Sequence, residues 1–127
     1  MADVKKILIV EDEIPLLDSY AELVETAGYI PLKVSDWYQA LDTLSNNFDQ
    51  IDLVLLDLMM PGVDGLEVLK TIRNNEDKYG KMLIVVLTNM TSESVVKEAF
   101  DLGAISYLVK TDLDYDGLIK ELSKFFG

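Results

Sequence analysis

The fold class is decided by the stretch Leu53-Val54-Leu55-Leu56-Asp57-Leu58-Met59-Met60-Pro61-Gly62-Val63-Asp64-Gly65. Its first four residues form an unbroken apolar run, which is typical of a parallel strand buried on both faces. An earlier apolar run, Ile7-Leu8-Ile9-Val10, also ends in acids, Glu11-Asp12-Glu13. Ligands of open α/β sheets bind outside the carboxyl ends of the strands. Two strands that deliver carboxylates there predict an anionic pocket that needs a cation.

An apolar strand followed by a helix recurs five times, which predicts a doubly wound α/β fold with a five-stranded parallel sheet. The expected strands are residues 6–10, 30–34, 53–56, 82–87 and 106–109. The expected helices are residues 15–28, 35–46 with Ser35 as a possible N-cap, 65–74, 92–102 and 115–126, and residues 75–81 are expected to be a loop. The second strand alternates in polarity and contains Pro31, as an edge strand does. With right-handed crossovers this favours the strand order 2-1-3-4-5, whose switch point lies between strands one and three.

The length of 127 residues predicts a single domain over residues 1–127, with half of the residues hydrophobic. The net charge of 11 − 23 = −12 disfavours direct binding of nucleic acid and of anionic membranes. No apolar run approaches the length of a membrane span, and the start lacks the apolar stretch of a secretion signal, so we expect a cytoplasmic protein. Cysteine and histidine are absent, which excludes thiolate metal sites, a Ser-His-Asp hydrolase and a phosphohistidine carrier.

The residues at the carboxyl ends of the predicted strands, taken in chain order, resemble those of the receiver domain of two-component response regulators, of the chemotaxis-regulator type. The resemblance runs from about residue 5 to residue 126 and implies a flavodoxin-like (βα)5 fold. It rests on acids after strand one, an aspartate after strand three with a Met-Pro-x-x-Asp-Gly turn, a hydroxyl ending strand four, and an aromatic and a lysine on strand five. These residues are Glu11, Asp12, Asp57, residues 60–65, Thr88, Tyr107 and Lys110.

The resemblance implies that Asp57 is a phosphorylation site that receives a phosphoryl group from a histidine kinase or a phosphotransfer protein. Two carboxylates about 5 Å apart repel each other by roughly 3 kcal/mol at an effective dielectric constant near 20, and Mg²⁺ would relieve this repulsion. By resemblance, the metal ligands are Asp12, Asp57, the backbone carbonyl of Met59, and Glu11 directly or through water. The domain would catalyse its own phosphorylation and dephosphorylation and would otherwise not be an enzyme.

By the same resemblance, Lys110 pairs with one phosphoryl oxygen and the Thr88 hydroxyl donates to another. Movement of Thr88 would then let Tyr107 turn inward as a switch. A downstream protein would read the altered face formed by helix four, strand five and helix five. Asn89 and Met59 would line the access route to the acyl phosphate. The chain has no room for a DNA-binding output domain, so we expect output by contact, from either a stand-alone receiver or a piece of a longer regulator.

Two positions depart from the family pattern. Thr111 follows Lys110 where the family usually has proline after a cis bond. Because a cis bond before a non-proline residue costs about 2.5–4 kcal/mol, we expect a trans bond and a shifted loop. Trp37 stands where the family often has glycine, and it either packs against its helix or forms an exposed docking surface.

Three other classes of function are alternatives, and the residues that each requires can be compared with those in this chain. A flavin-binding electron carrier needs a hydroxyl- and glycine-rich loop after strand one, whereas Glu11-Asp12-Glu13 would repel a phosphate. A phosphatase with an aspartyl-phosphate intermediate has an acid two residues after the nucleophile, where this chain has Met59. A receiver-like module that binds partners without phosphorylation is disfavoured by the complete acid pocket, and an assay has to exclude it.

Overall fold

A computed structural model describes residues 4–126, which form a parallel sheet with helices on both faces, so the predicted α/β fold is confirmed. The strands are β1 (Lys6–Val10), β2 (Ile30–Val34), β3 (Leu53–Leu56), β4 (Leu83–Thr88) and β5 (Ser106–Val109). The helices are α1 (Ile14–Thr26), α2 (Trp37–Asn47), α3 (Gly65–Asn74), α4 (Glu93–Asp101) and α5 (Tyr115–Phe126). A two-residue hairpin pairs Met59–Met60 with Val63–Asp64, and short helical turns span Phe48–Gln50, Glu76–Tyr79 and Lys110–Asp112.

The sheet has the predicted order β2-β1-β3-β4-β5, with β2 and its Pro31 at one edge. Side chains of successive strand residues point to opposite faces, which divides the core into two layers. Leu8, Val54 and Ile84 pack against α2, α3 and α4, whereas Ile9 and Leu55 pack against α1 and α5. The three central strands are therefore buried on both faces, which explains their unbroken apolar runs.

The predicted N-cap of α2 was one residue too early. Asp36, not Ser35, is the capping residue, and its Oδ1 accepts a hydrogen bond from the Gln39 backbone N–H at 2.8 Å. Both residue types cap helices well, so composition did not distinguish them. The backbone conformation distinguishes Asp36 from Ser35. The helix begins at Trp37, so Asp36 is the residue placed to accept from the N–H three residues ahead.

The predicted loop over residues 75–81 contains a helical turn, Glu76–Tyr79, after the end of α3. Tyr79 is buried and belongs to the core layer on the α2–α4 side. The stretch is largely polar and too short to show a helical period, so the sequence pattern did not predict the turn. Burial of the Tyr79 ring stabilises it. The smaller differences are at element ends. Helix α1 spans Ile14–Thr26 and so ends two residues before the predicted Gly28, and α2 ends one residue late. Strand β4 is shifted by one residue, and α4 is one residue shorter at each end.

The docking hypothesis for an exposed Trp37 is wrong. Its side chain is 3% exposed and packs in the core layer with Ala40 and Leu44 of the same helix. The other possibility, that Trp37 packs against its own helix, is confirmed. Among residues 4–126, no helix has both the length and the apolar character required to span a membrane.

We expect the Asp36→Ala substitution to lower the free energy of unfolding by about 1 kcal/mol, because it leaves an N–H of the first turn of α2 without its acceptor. Chemical denaturation measures this difference. Ser35→Ala is the matched control, and we expect it to change stability by less than about 0.5 kcal/mol. Equal losses in the two variants would contradict the assignment of the cap.

Candidate functional site

Three carboxylates meet at the carboxyl edge of the sheet, between β1 and β3. Val10 pairs with Leu56 in the parallel register, so the chain leaves both strands side by side. The carboxylate oxygens of Glu11, Asp12 and Asp57 lie within 4.8 Å of one another. Glu11 and Asp57 are buried and Asp12 is half-buried, so water screens their repulsion poorly. The expected convergence of acids from two strands is therefore present.

The Lys110 ammonium lies between two of these carboxylates. Its Nζ donates to Asp57 Oδ2 at 2.8 Å and to Glu11 Oε1, and its side chain is 11% exposed. Burial is the largest single influence and acts to lower the pKa of Lys110, but the hydrogen bonds to Asp57 and Glu11 and the negative charges of both groups together raise the pKa. The lysine therefore carries its positive charge at neutral pH.

Glu11 is the most strongly buried acid of the site. Burial raises its pKa, while hydrogen bonds from Lys110 and from the Glu13 backbone N–H partly oppose that rise. Asp57 makes two separate contacts, since its Oδ1 accepts from the Met59 N–H at 2.9 Å and its Oδ2 accepts from Lys110. The Lys110 ammonium thus pairs with two of the three carboxylates, and Asp12 is left available to a further cation.

The turn after Asp57 is held in place by two glycines. Gly62 has a φ of +83°, which lets the Met59–Met60 and Val63–Asp64 segments pair in a tight hairpin. Gly65 begins α3 so close to the chain that a Cβ would lie 2.5 Å from the Leu58 Cα. Asp64 caps α3 by accepting from the Leu66 N–H at 2.9 Å. The Asp57 loop therefore rests directly on the start of α3.

An open cleft of about 640 Å³ lies over the acids. Asp12, Asp57 and Lys110 line it, and so do Met59 and Asn89, the two residues predicted to flank the access route. Met59 is 55% exposed. Both residues therefore stand on the walls through which a ligand would reach Asp57, and their effect on an acyl phosphate stays a prediction.

Thr88 is the last residue of β4, the neighbour of β3 in the sheet, and Tyr107 lies on the adjoining strand β5. Thr88 is fully buried, and its Oγ1 has no hydrogen-bond partner among residues 4–126. Tyr107 is half-buried and donates its hydroxyl to the Met90 carbonyl at 2.7 Å, with its ring 6.4 Å from that of Phe100. Burial raises the pKa of the Tyr107 hydroxyl. The switch roles of both residues stay predictions.

The Lys110–Thr111 bond is trans, in agreement with the expected cost of a cis bond at this position. A short helical turn, Lys110–Asp112, follows the strand, and the Thr111 N–H donates to Asn89 Oδ1 at 3.1 Å. Lys110 nevertheless reaches the acids. The loop after β5 is thus tied to the loop after β4.

Sequence reasoning did not identify three contacts of the site. The bond between Lys110 and Glu11, the Met90 carbonyl that receives Tyr107, and the capping role of Asp64 appear only in the structure. An aspartate directly before a helix was a usable signal for the third contact. The other two depend on which strands become neighbours, which local sequence does not encode.

The donor set fits a hard divalent cation. Glu11, Asp12 and Asp57 offer oxygen ligands within reach of one ion. Mg²⁺ is commonly held in this way, by one or two carboxylates together with water and phosphate oxygens. Since Lys110 already occupies one oxygen each of Glu11 and Asp57, the half-buried Asp12 is the acid most accessible to an incoming ion.

The relatives of the chain include a transcriptional regulator and a phosphotransferase from bacteria. It is 33% identical over 123 residues to the transcriptional regulatory protein CrdR of Helicobacter pylori, covering 97% of this chain and 55% of that protein. It is 29% identical over 121 residues to the sporulation initiation phosphotransferase F of Bacillus subtilis, covering 95% of this chain and 93% of that protein. The chain thus spans about half of the transcriptional regulator and nearly all of the phosphotransferase.

Solved structures share the fold. The chemotaxis protein CheY4 of Vibrio cholerae superposes with a TM-score of 0.85 at 28% identity, covering 97% of this chain and 99% of that one. A chain of the CheX–CheY complex with BeF3 and Mg from Borrelia burgdorferi has a TM-score of 0.86 at 23% identity, covering 97% of this chain and 90% of that one. Residues 7–122 match the response regulator receiver domain as a family. The chain belongs to the response regulator receiver domain family.

Proposed function

We propose that the domain is the phosphoacceptor of a two-component phosphorelay, with Asp57 as the residue that is phosphorylated. The observation that carries this proposal is the convergence of Glu11, Asp12, Asp57 and the Lys110 ammonium at the base of an open cleft. Oxygen ligands, a nucleophilic carboxylate and a fixed cation are the parts that phosphoryl transfer requires. The donor is the phosphohistidine of a histidine kinase or of a phosphotransfer protein.

In the proposed reaction a carboxylate oxygen of Asp57 forms a bond to phosphorus as the bond between phosphorus and the donor imidazole nitrogen breaks. The imidazole keeps the electron pair of that bond and takes up a proton. The Met59 N–H holds Asp57 Oδ1 at 2.9 Å, which fixes the rotation of the carboxylate before the donor arrives. Positioning of this kind supplies much of the rate in phosphoryl transfer.

Glu11, Asp12, Asp57 and the Met59 carbonyl would hold Mg²⁺ in this proposal. The bound ion would neutralise charge on the phosphoryl oxygens. Lys110 would exchange part of its contact with Asp57 for a phosphoryl oxygen, because its ammonium is already beside the carboxylate that becomes phosphorylated. Thr88 would donate its unpartnered hydroxyl to another phosphoryl oxygen.

Output follows from the same contacts. Drawing Thr88 toward the phosphoryl group would free space beside Tyr107, whose hydroxyl would leave the Met90 carbonyl as the ring turns inward. The face formed by α4, β5 and α5 would change, and a downstream protein would bind it. In this proposal the receiver occupies the whole chain, residues 1–127, acts in the cytoplasm and catalyses its own phosphorylation and dephosphorylation. Met59 and Asn89 would control how water reaches the acyl phosphate.

We expect exposure to acetyl phosphate with Mg²⁺ to add one phosphoryl group to the protein, as measured by intact mass. EDTA and the Asp57→Asn substitution should each prevent the addition, because they remove the metal and the nucleophile. Asp52→Asn is the matched control, since Asp52 flanks the opposite end of β3 and accepts from the Lys6 N–H at 2.8 Å. Asn can keep that bond, so this variant should be phosphorylated normally. An adduct that persists in Asp57→Asn, or no adduct in the wild type, would refute the proposal.

We expect Thr88→Val to keep the free energy of unfolding or raise it by up to about 1 kcal/mol, because it removes a buried hydroxyl that has no hydrogen-bond partner among residues 4–126. The same substitution should slow phosphorylation by acetyl phosphate about tenfold or more, since one donor to the transferred group is lost. Thr88→Ser keeps the hydroxyl and should retain most of the rate. Denaturation and intact mass against time measure the two effects. A clear loss of stability in Thr88→Val together with a normal rate would contradict the role of this hydroxyl.

A further inference from the structure

The loop after β4 is held to the loop after β5 by a hydrogen bond from the backbone. Thr88 pairs with Val109 at the ends of these parallel strands, so Asn89 and Lys110 leave the sheet side by side. One residue further on, the Thr111 N–H donates to Asn89 Oδ1 at 3.1 Å. Proline has no N–H, so this bond exists only because the residue after Lys110 is not proline.

This bond decides which end of the Asn89 amide is free. An asparagine amide has a carbonyl oxygen that accepts and an NH2 group that donates. The oxygen is bound to Thr111, which does not line the acid cleft, whereas Asn89 lines it together with Asp57 and Lys110. Asn89 is exposed, and its Nδ2 has no protein acceptor within residues 4–126. The amide therefore leaves its donor, and not its acceptor, available to a molecule in the cleft.

We propose that the Thr111 N–H is a positioning group, which presents Asn89 Nδ2 as a hydrogen-bond donor to an oxygen of the phosphoryl group on Asp57. The inference rests on the proposed function, in which Asp57 is phosphorylated. Each phosphoryl oxygen has several lone pairs, so it can accept from Asn89 as well as from Thr88 or Lys110. A donor that is fixed before the reaction needs no reorganisation as charge develops on these oxygens. The amide keeps its proton throughout, so the bonds that form and break are those of the proposed transfer.

The same bond separates the position of Asn89 from the movement of Tyr107. The Tyr107 hydroxyl donates at 2.7 Å to the carbonyl of Met90, the residue after Asn89. The inward turn of Tyr107 in the proposed function breaks this contact. The bond from the Thr111 N–H would then still tie the two loops together. Asn89 would therefore stay at the cleft in both positions of Tyr107.

Two roles of Asn89 predict opposite effects when its side chain is shortened. If Asn89 were only part of the cleft wall, Asn89→Ala would widen the cleft and speed phosphorylation by acetyl phosphate. Since Asn89 is a donor in this proposal, we expect Asn89→Ala to slow that reaction about three- to tenfold. Asn89→Asp keeps the size and the acceptor for the Thr111 N–H but replaces the donor with a negative charge, so it should be at least as slow. Intact mass against time measures the rates, and a rate for Asn89→Ala equal to or above that of the wild type would overturn the proposal.

The role of the Thr111 N–H is tested with Thr111→Pro, which removes the N–H, and with Thr111→Ala, which keeps it. We expect the proline variant to react about two- to fivefold more slowly than the wild type, and the alanine variant to stay within about twofold of it. Proline also constrains the loop, so both substitutions are repeated in the Asn89→Ala variant. There the proline should have no further effect, because the group that the N–H positions is gone. No loss from the proline in the wild type, or equal losses in both backgrounds, would refute the positioning role.

The contact itself is measured without phosphorylation, which distinguishes failure of this inference from failure of the proposed function. Thr111 is exposed, so slow exchange of its amide hydrogen with solvent requires a hydrogen bond. Hydrogen exchange followed by NMR should show protection of this amide in the wild type and in Asn89→Asp, and loss of protection in Asn89→Ala. An unprotected amide in the wild type, or protection that persists in Asn89→Ala, removes this inference alone. A wild type that takes up no phosphoryl group refutes the proposed function, and the donor role of Asn89 with it.

Discussion

The site is governed by the mutual repulsion of three carboxylates, which the sheet holds close together. Glu11, Asp12 and Asp57 bring their oxygens within 4.8 Å of one another, and the Lys110 ammonium pairs with Glu11 and Asp57. Carboxylates at such separations repel by several kcal/mol where water is scarce, and one lysine cannot compensate for all three. A protein that keeps this arrangement gives up stability at the site, and under the proposed function it gains a place to bind a cation and a phosphoryl group.

The backbone, and not the acids themselves, maintains this arrangement. Parallel pairing of Val10 with Leu56 places the ends of β1 and β3 side by side, and the apolar strands below them are buried on both faces. Gly65 lets α3 begin directly against Leu58, which leaves the Asp57 loop little freedom to move away. The cores on both sides of the sheet therefore stabilise an edge that is unfavourable by itself.

Much of the fold follows from the sequence, because buried parallel strands need unbroken apolar runs and their ends converge. The bounds of β1, β2, β3 and β5 agree with the prediction, and the site appears where strands one and three end. Local sequence does not encode which side chains become buried by residues that are distant along the chain. The inward packing of Trp37, the helical turn that buries Tyr79 and the contact from Lys110 to Glu11 all depend on which elements become neighbours. The choice between Ser35 and Asp36 as a cap depends on backbone angles at one residue.

The most direct test of this account is thermal unfolding of the wild type and of Asp12→Asn, each over a range of Mg²⁺ concentrations at neutral pH. Repulsion at the site predicts that, without Mg²⁺, the Asn variant is more stable than the wild type. It also predicts that Mg²⁺ raises the Tm of the wild type, with the dependence on concentration expected for one site, and has little effect on the variant. A wild-type Tm that does not respond to Mg²⁺, with an Asn variant no more stable than the wild type, would contradict the account.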